Sequence, residues 1–161
     1  MNPLSIRRLA TDAEAKACAG FMAASEPWTT LGRGAPMLLE MLRDPGREPY
    51  VVHAGEDLAG CLVLNLHGPF VGYIQAICVA PRCRGRGVGS ALMAFAEARI
   101  FREHPNVFLC VSSFNPSARR LYERLGYHVV GELTDFVVQG YSEFLMRKTI
   151  GPLDPARRPP G

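Results

Sequence analysis

The amino-acid sequence predicts a mixed α/β (α+β) fold, with a central, mostly antiparallel sheet flanked by helices. Three observations predict it. Apolar periodicity orders the elements β-α-α-β-β-β-α-β-α-β-β, about seven strands and about four helices. Two turn signals, Gly55-Glu56-Asp57 and His67-Gly68-Pro69, fold the middle of the chain into an antiparallel meander, unlike the strict alternation of a doubly wound sheet. A glycine- and arginine-rich loop, Arg82 to Ser90, then joins an apolar run to a helical pattern.

The elements follow in order. Leu4 to Leu9 reads as a strand. Thr11-Asp12-Ala13-Glu14 forms a capping box, with Thr11 capping and Glu14 reaching back, so a helix runs to about Ala24. Ser25 to Pro36 is irregular, because Pro27, Gly32, Gly34 and Pro36 break both periods. A short helix from Pro36 to Arg43 stops at Asp44-Pro45-Gly46. Tyr50 to Ala54 and Leu58 to Leu66 make a hairpin, and Val71 to Val79 continues the meander. Behind the glycine loop, Val88, Leu92 and Phe95 share one helix face. Asn106 to Val111 is a strand. Asn115-Pro116 opens a helix whose apolar face is Ala118, Leu121, Tyr122 and Leu125, and Gly126 suits its end. Tyr127 to Leu133 and Ser142 to Lys148 close the sheet. Residues 1–150 therefore make one domain, and the proline- and arginine-rich residues 151–161 read as a disordered tail.

A chain of 161 residues can bury a core without staples, and 48% hydrophobic with 20% charged residues is the balance of a soluble globular protein. The net charge of +3 is mild, and the basic residues form no stripe interleaved with aromatics, which argues against nucleic acid. Five cysteines leave one unpaired, none lies in a C-x-x-C, and no Cys/His group has metal spacing. Most sit in apolar runs, as small core residues do, so a reducing compartment is expected. The N-terminus lacks an apolar signal core and no run reaches spanning length, so a cytoplasmic protein with no membrane association is expected.

The segment Arg82-Cys83-Arg84-Gly85-Arg86-Gly87-Val88-Gly89-Ser90 carries the chemistry. Alternate glycines let backbone N–H groups crowd a ligand, and the helix start adds unpaired donors and positive dipole. Strand, glycine loop and helix N-terminus together suit a phosphorylated ligand. It is no P-loop, since no Lys follows a glycine, and no dinucleotide fingerprint, since the third glycine falls at Ser90. A solvated glycine-rich turn is the bland alternative.

Arg84-x-x-Gly87-x-Gly89 resembles the [RQ]-x-x-G-x-[GA] signature of the GNAT superfamily of N-acetyltransferases. A second block, Asn115-Pro116-Ser117-Ala118-Arg119-Arg120-Leu121-Tyr122-Glu123-Arg124-Leu125-Gly126-Tyr127, is similar to the family's N-x-x-A-x-x-[LF]-Y-x-x-x-G-[FY] segment, at family spacing. The resemblance covers nearly the whole chain outside the tail. It implies a sheet splayed at an acyl-CoA cleft, acetyl-CoA as cosubstrate, no metal, and direct transfer to an amine in a ternary complex.

The resemblance also implies roles. Arg84, Gly85, Arg86, Gly87, Val88, Gly89 and Ser90 would hold the pyrophosphate, chiefly through backbone. Ile77, Cys78 and Val79 would border the pantetheine arm, where a bulge frees a donor, at Cys78 or Val79, for the oxyanion. Asn115 would contact that arm; equally, it is a good helix N-cap. Tyr122 would serve the departing thiolate. A phenol near pKa ~10 is weaker than a thiol near ~8.5, so full transfer is uphill by ~2 kcal/mol, and a stabilising hydrogen bond is the sounder role. Tyr122 also fits as plain core.

The base is open. A lysine-like amine is neutral about one time in 2,500 at pH 7, a handicap of ~4.6 kcal/mol. Many family members meet it with a Glu in the strand before the loop, but Tyr73 to Val79 contains no carboxylate. Gln75 could position water. Glu26 is the named substitute, with His67 and Glu143 as further candidates. Ser25–Gly34 and Thr134–Tyr141 should build the acceptor site, with Trp28 as pocket floor or loop anchor. Glu26 and Asp135 favour a cationic amine, small or on a peptide or protein. Two other functions compete: a non-catalytic acyl-CoA-binding or regulatory module, and a nucleotide-binding protein. Family habit adds a homodimer as an expectation.

Overall fold

A computed structural model of the chain describes residues 2–160. The element order is the predicted one: β1 (Leu4–Arg8), α1 (Asp12–Ala23), α2 (Ala35–Arg43), β2 (Glu48–Ala54), β3 (Asp57–Asn65), β4 (Tyr73–Val79), α3 (Val88–Phe101), β5 (Asn106–Ser112), α4 (Pro116–Arg124), β6 (His128–Thr134) and β7 (Ser142–Thr149), with a short 3-10 turn at Pro81–Cys83. The strands form one seven-stranded sheet in the order β1-β2-β3-β4-β5-β7-β6. Every pairing is antiparallel except β4 with β5.

Local signals act where the sequence places them. Thr11 Oγ1 accepts from the Glu14 N–H, and Glu14 accepts from the N–H groups of Ala10 and Thr11, so the capping box is complete. Asn115 Oδ1 accepts from the Ala118 N–H, capping α4. Each face of the sheet carries its own core. On one, Leu62, Leu64, Ile74, Val107, Leu109 and Met146 pack against Val88, Leu92, Ala96 and Ile100 of α3. On the other, Val51, Cys61, Val63, Ala76 and Cys78 pack under Ala15, Cys18, Met22, Leu38 and Leu42 of α1 and α2.

Some boundaries differ from expectation. The third meander strand begins at Tyr73, not Val71, because Gly72 turns at φ +92. A side chain there would lie 2.2 Å from the Asn106 carbonyl oxygen, so this glycine lets the starts of β4 and β5 meet. The α3 helix buries Met93 and Ala96 beyond the expected face, while Phe95 is half-buried against the Tyr50 ring at 4.8 Å. Residues 151–160 contain no helix or strand and are largely exposed. Among the described residues no helix is long and apolar enough to cross a membrane.

Candidate active site

The site begins where the sheet comes apart. β4 and β5 pair only at Tyr73–Phe108 and Ile74–Leu109, with the Phe108 N–H donating to the Gly72 carbonyl at 2.9 Å. Beyond Ile74 the strands separate, and the edge of β4 from Gln75 to Val79 has no β5 partner. The cause is local. β4 carries one extra residue against β3, since Val63 opposes Ala76 while Leu64 opposes Ile74, which leaves Gln75 as the bulged residue and turns the strand. A bulge was expected to free a donor at Cys78 or Val79. The irregularity lies at Gln75, upstream of both, and Cys78 and Val79 keep regular register with Cys61 and Gly60.

A cavity of about 480 Å³ occupies the gap. Residues from both faces of the sheet line it. Ala118 and Tyr122 reach it from α4, Trp28, Leu31 and Met37 from the opposite layer, and Ile77, Cys110 and Asn115 from its walls. An apolar cleft with a few convergent polar groups is the usual form of a small-molecule site.

The glycine loop lies at one end. Gly85 and Gly87 have φ +72 and +77, and a side chain at either would meet nothing within 4 Å. The α3 helix receives no side-chain cap from Gly87, so the N–H groups of its first turn are left without a side-chain partner. An open, cap-free helix start flanked by arginines fits a pyrophosphate. Arg86 is exposed, whereas Arg84 turns inward, its Nη2 donating to Ser25 Oγ at 3.0 Å.

Tyr122 is 9% exposed, and its hydroxyl makes no hydrogen bond among the described residues. Burial pushes its pKa up to about 12. The ring stands edge-on to Tyr127, centroids 6.1 Å apart, so Tyr122 is a core residue whose side chain also reaches the cavity. Asn115 likewise does two things, capping α4 and lining the cavity.

Of the candidate bases, Glu26 and Glu143 line the cavity and His67 does not. Glu26 is exposed. Hydrogen bonds from the Thr29 and Thr30 hydroxyls hold its carboxyl below the usual range, the Thr30 bond being 2.8 Å. This carboxylate ties its own loop and is a weak proton acceptor. Glu143 is only 6% exposed. Its Oε1 accepts from Ser112 Oγ at 2.5 Å across the β5–β7 ladder. Burial pushes its carboxyl above the usual range, with Ser112 pulling the other way. Tyr73 and Cys110 adjoin each other and both sense the Glu143 charge. Trp28 packs on the α1–α2 core and also lines the cavity. Asp135 does not line it; it accepts from the Gly140 N–H at 2.7 Å, shaping the loop that brings Phe136 and Val137 to the rim. Sequence reasoning missed Tyr73 and Ser112, while Cys110 lines the cavity as a cysteine of the cleft should. Strand alternation places Cys110 and Ser112 on one face, but only the pairing with β7 brings Glu143 to them.

Comparison with known proteins adds the lineage. The model of the acetyltransferase (GNAT) family matches residues 10–127. The blasticidin-S acetyltransferase of Streptomyces morookaense is 32% identical over 110 residues, covering 63% of this chain and 80% of that protein. A GNAT-family protein of Desulfovibrio desulfuricans shares the fold with a TM-score of 0.79 at 20% identity, covering 92% of this chain and all of that one. An aminoglycoside 6'-N-acetyltransferase solved with coenzyme A superposes with a TM-score of 0.71 at 18% identity, over 97% of this chain and 99% of that one.

Proposed function

The chain belongs to the GNAT family of acetyltransferases, and from that premise we propose that it transfers the acetyl group of acetyl-CoA directly to a primary amine, with both substrates bound together. The observation that carries this reading is the cavity through the sheet seam. Lined from both faces of the sheet, it would let two substrates approach one point separately.

The residues fit the cosubstrate. The first-turn N–H groups of Val88, Gly89 and Ser90, with those of Gly85 to Gly87, would hold the pyrophosphate by charge-assisted hydrogen bonds. Arg86 adds charge. The unpaired edge of β4 at Ile77, Cys78 and Val79 would run along the pantetheine arm, and Asn115 would close on it from α4. Acetyl-CoA supplies an activated thioester carbonyl. Tyr122, protonated throughout the neutral range, would donate a hydrogen bond toward the sulfur as negative charge develops there.

The acceptor would enter beneath the α1–α2 loop, over Trp28, with Glu26 as an exposed negative charge at the mouth. The 32% identical relative is named for blasticidin S, so blasticidin S heads the acceptor list, ahead of polyamines and lysine side chains. The five cysteines are all free, which suits a cytoplasmic enzyme.

Thermal unfolding with acetyl-CoA, CoA, ATP and NAD in parallel tests the cosubstrate. Ligand at about 100 times its dissociation constant adds about 2.7 kcal/mol. Both CoA species should stabilise the protein; a response to ATP or NAD alone overturns the reading. A second reading, a non-catalytic acyl-CoA-binding module, draws on the lack of a carboxylate in β4. It predicts stabilisation by CoA with no turnover on any amine, starting with blasticidin S.

A further inference from the structure

We infer that the acceptor amine enters as its ammonium ion, is received between Gln75 and Glu143, and gives its proton to Glu143. The inference rests on the acetyl-transfer reading and assigns the base that β4 lacks.

Glu143 lies on the face of the sheet turned away from Tyr122. Its ladder partner Ser112 shares that face, and the alternating residue Cys110 does too. The titratable groups facing Glu143 are Tyr73 from β4 and Cys110 from β5; its β6 neighbour is Leu133. None is a cation, and no Lys, Arg or His among the described residues pairs with it. A buried carboxylate without a counter-ion is unfavourable and is relieved by taking up a proton or a cationic ligand. Both reliefs are what a base for an ammonium ion must offer.

Gln75 is the second acceptor. It is the bulged residue of β4, it lines the same cavity, and its Oε1 is buried with no hydrogen-bond partner among the described residues. Such an orphan oxygen is rare in a native structure and calls for a donor from outside the chain. A ligand that brings N–H groups would satisfy it, and an ammonium brings three. Among the described residues Arg33 is the one cation lining the cavity, its Nη1 donating to Met37 Sδ at 2.7 Å, and the exposed Glu26 sets a negative charge against it on the same lining.

The proton balance closes. The ammonium loses one proton to the Glu143 oxygen that Ser112 does not hold, which frees the nitrogen lone pair. The nitrogen–carbonyl carbon bond forms, the carbon–sulfur bond breaks, and the second nitrogen proton ends on the sulfur, on the Tyr122 side. Glu143 returns its proton to water. The products are the amide, the free thiol and one released proton.

The test uses the full chain labelled with carboxyl-13C glutamate, the Glu143 signal being the one lost in Glu143→Gln. Adding n-butylammonium should lower the Glu143 titration midpoint, and 1-butanol should leave it in place. Gln75→Leu should weaken that response several-fold while leaving stabilisation by acetyl-CoA unchanged. With blasticidin S or n-butylamine as acceptor, Glu143→Gln should lower kcat on the order of 100-fold and remove the acid limb of the pH profile, with the KM for acetyl-CoA unmoved. A midpoint indifferent to n-butylammonium, or an acid limb that survives Glu143→Gln, overturns the inference. Absence of stabilisation by either CoA species would instead overturn acetyl transfer, leaving the carboxyl titration to judge the ammonium site alone.

Discussion

Arg84 Nη2 donates to Ser25 Oγ at 3.0 Å, and Ser25 Oγ in turn donates to the Phe21 carbonyl at 2.6 Å. Arg84, the second arginine of the glycine loop, is thus a brace to the end of α1, tying the glycine loop to the segment that follows that helix. Arg84→Ala should lower stability by about 1 kcal/mol, since a hydrogen bond from a charged donor is lost while Ser25 keeps its own acceptor. Arg86→Ala, at an exposed position, should leave stability unchanged and weaken acetyl-CoA binding, more so at low salt. Denaturant melts and calorimetric titration separate the two.

Gly87 sits at φ +77 at the start of α3 with nothing within 4 Å of a would-be side chain. Gly87→Ala should cost about 1–2 kcal/mol from backbone conformation alone, because no neighbour is displaced. Acetyl-CoA affinity should fall as well if the added methyl intrudes on the face proposed for the pyrophosphate. A melt series with and without acetyl-CoA measures both effects.

Tyr122→Phe removes a hydroxyl with no partner among the described residues. Folding should be unaffected, and kcat should fall on the order of 100-fold with little change in either KM. Burial holds the Tyr122 pKa at about 12, so an alkaline limb within the mildly alkaline range would belong to another group. Steady-state kinetics across pH decide it.

Glu14 closes the α1 capping box and pairs with Arg7, whose hydrogen bond holds the carboxyl at about 2 rather than the ordinary 4.5. A folded pKa below the unfolded one stabilises the protein above about pH 4.5, and that stability is lost as pH falls through about 2. Glu14→Gln should cost about 1–2 kcal/mol at neutral pH. It should also flatten the acid dependence of the melting temperature between pH 4.5 and 2.

What was readable from the chain was what short-range chemistry decides. Thr11 and Glu14 announce α1, Asn115 caps α4 and the φ of +96 at Gly126 ends it, and the two glycine-rich turns set the meander. Tyr122 and Asn115 reach the cavity because helix spacing puts them on one side of α4. Register is different. That Gln75 bulges depends on how β4 lies against Val63 and Leu64, and that Glu143 is buried depends on a ladder to Ser112, thirty-one positions away. Glu26 misled for a related reason: its carboxylate is spent on Thr29 and Thr30, four residues or fewer along its own loop.

The narrow seam at Tyr73 and Ile74 makes the sheet resemble a book bound at one corner of its spine. The leaf of β1 to β4 and the leaf of β5, β7 and β6 share few backbone bonds, so much of their union rests on α3, which packs against both. A molecule threaded through the opening acts as the missing stitching. Occupancy should therefore slow amide exchange in both leaves together, well beyond the residues it touches. In this protein the seam that shares the fewest backbone bonds is also the wall of the candidate site.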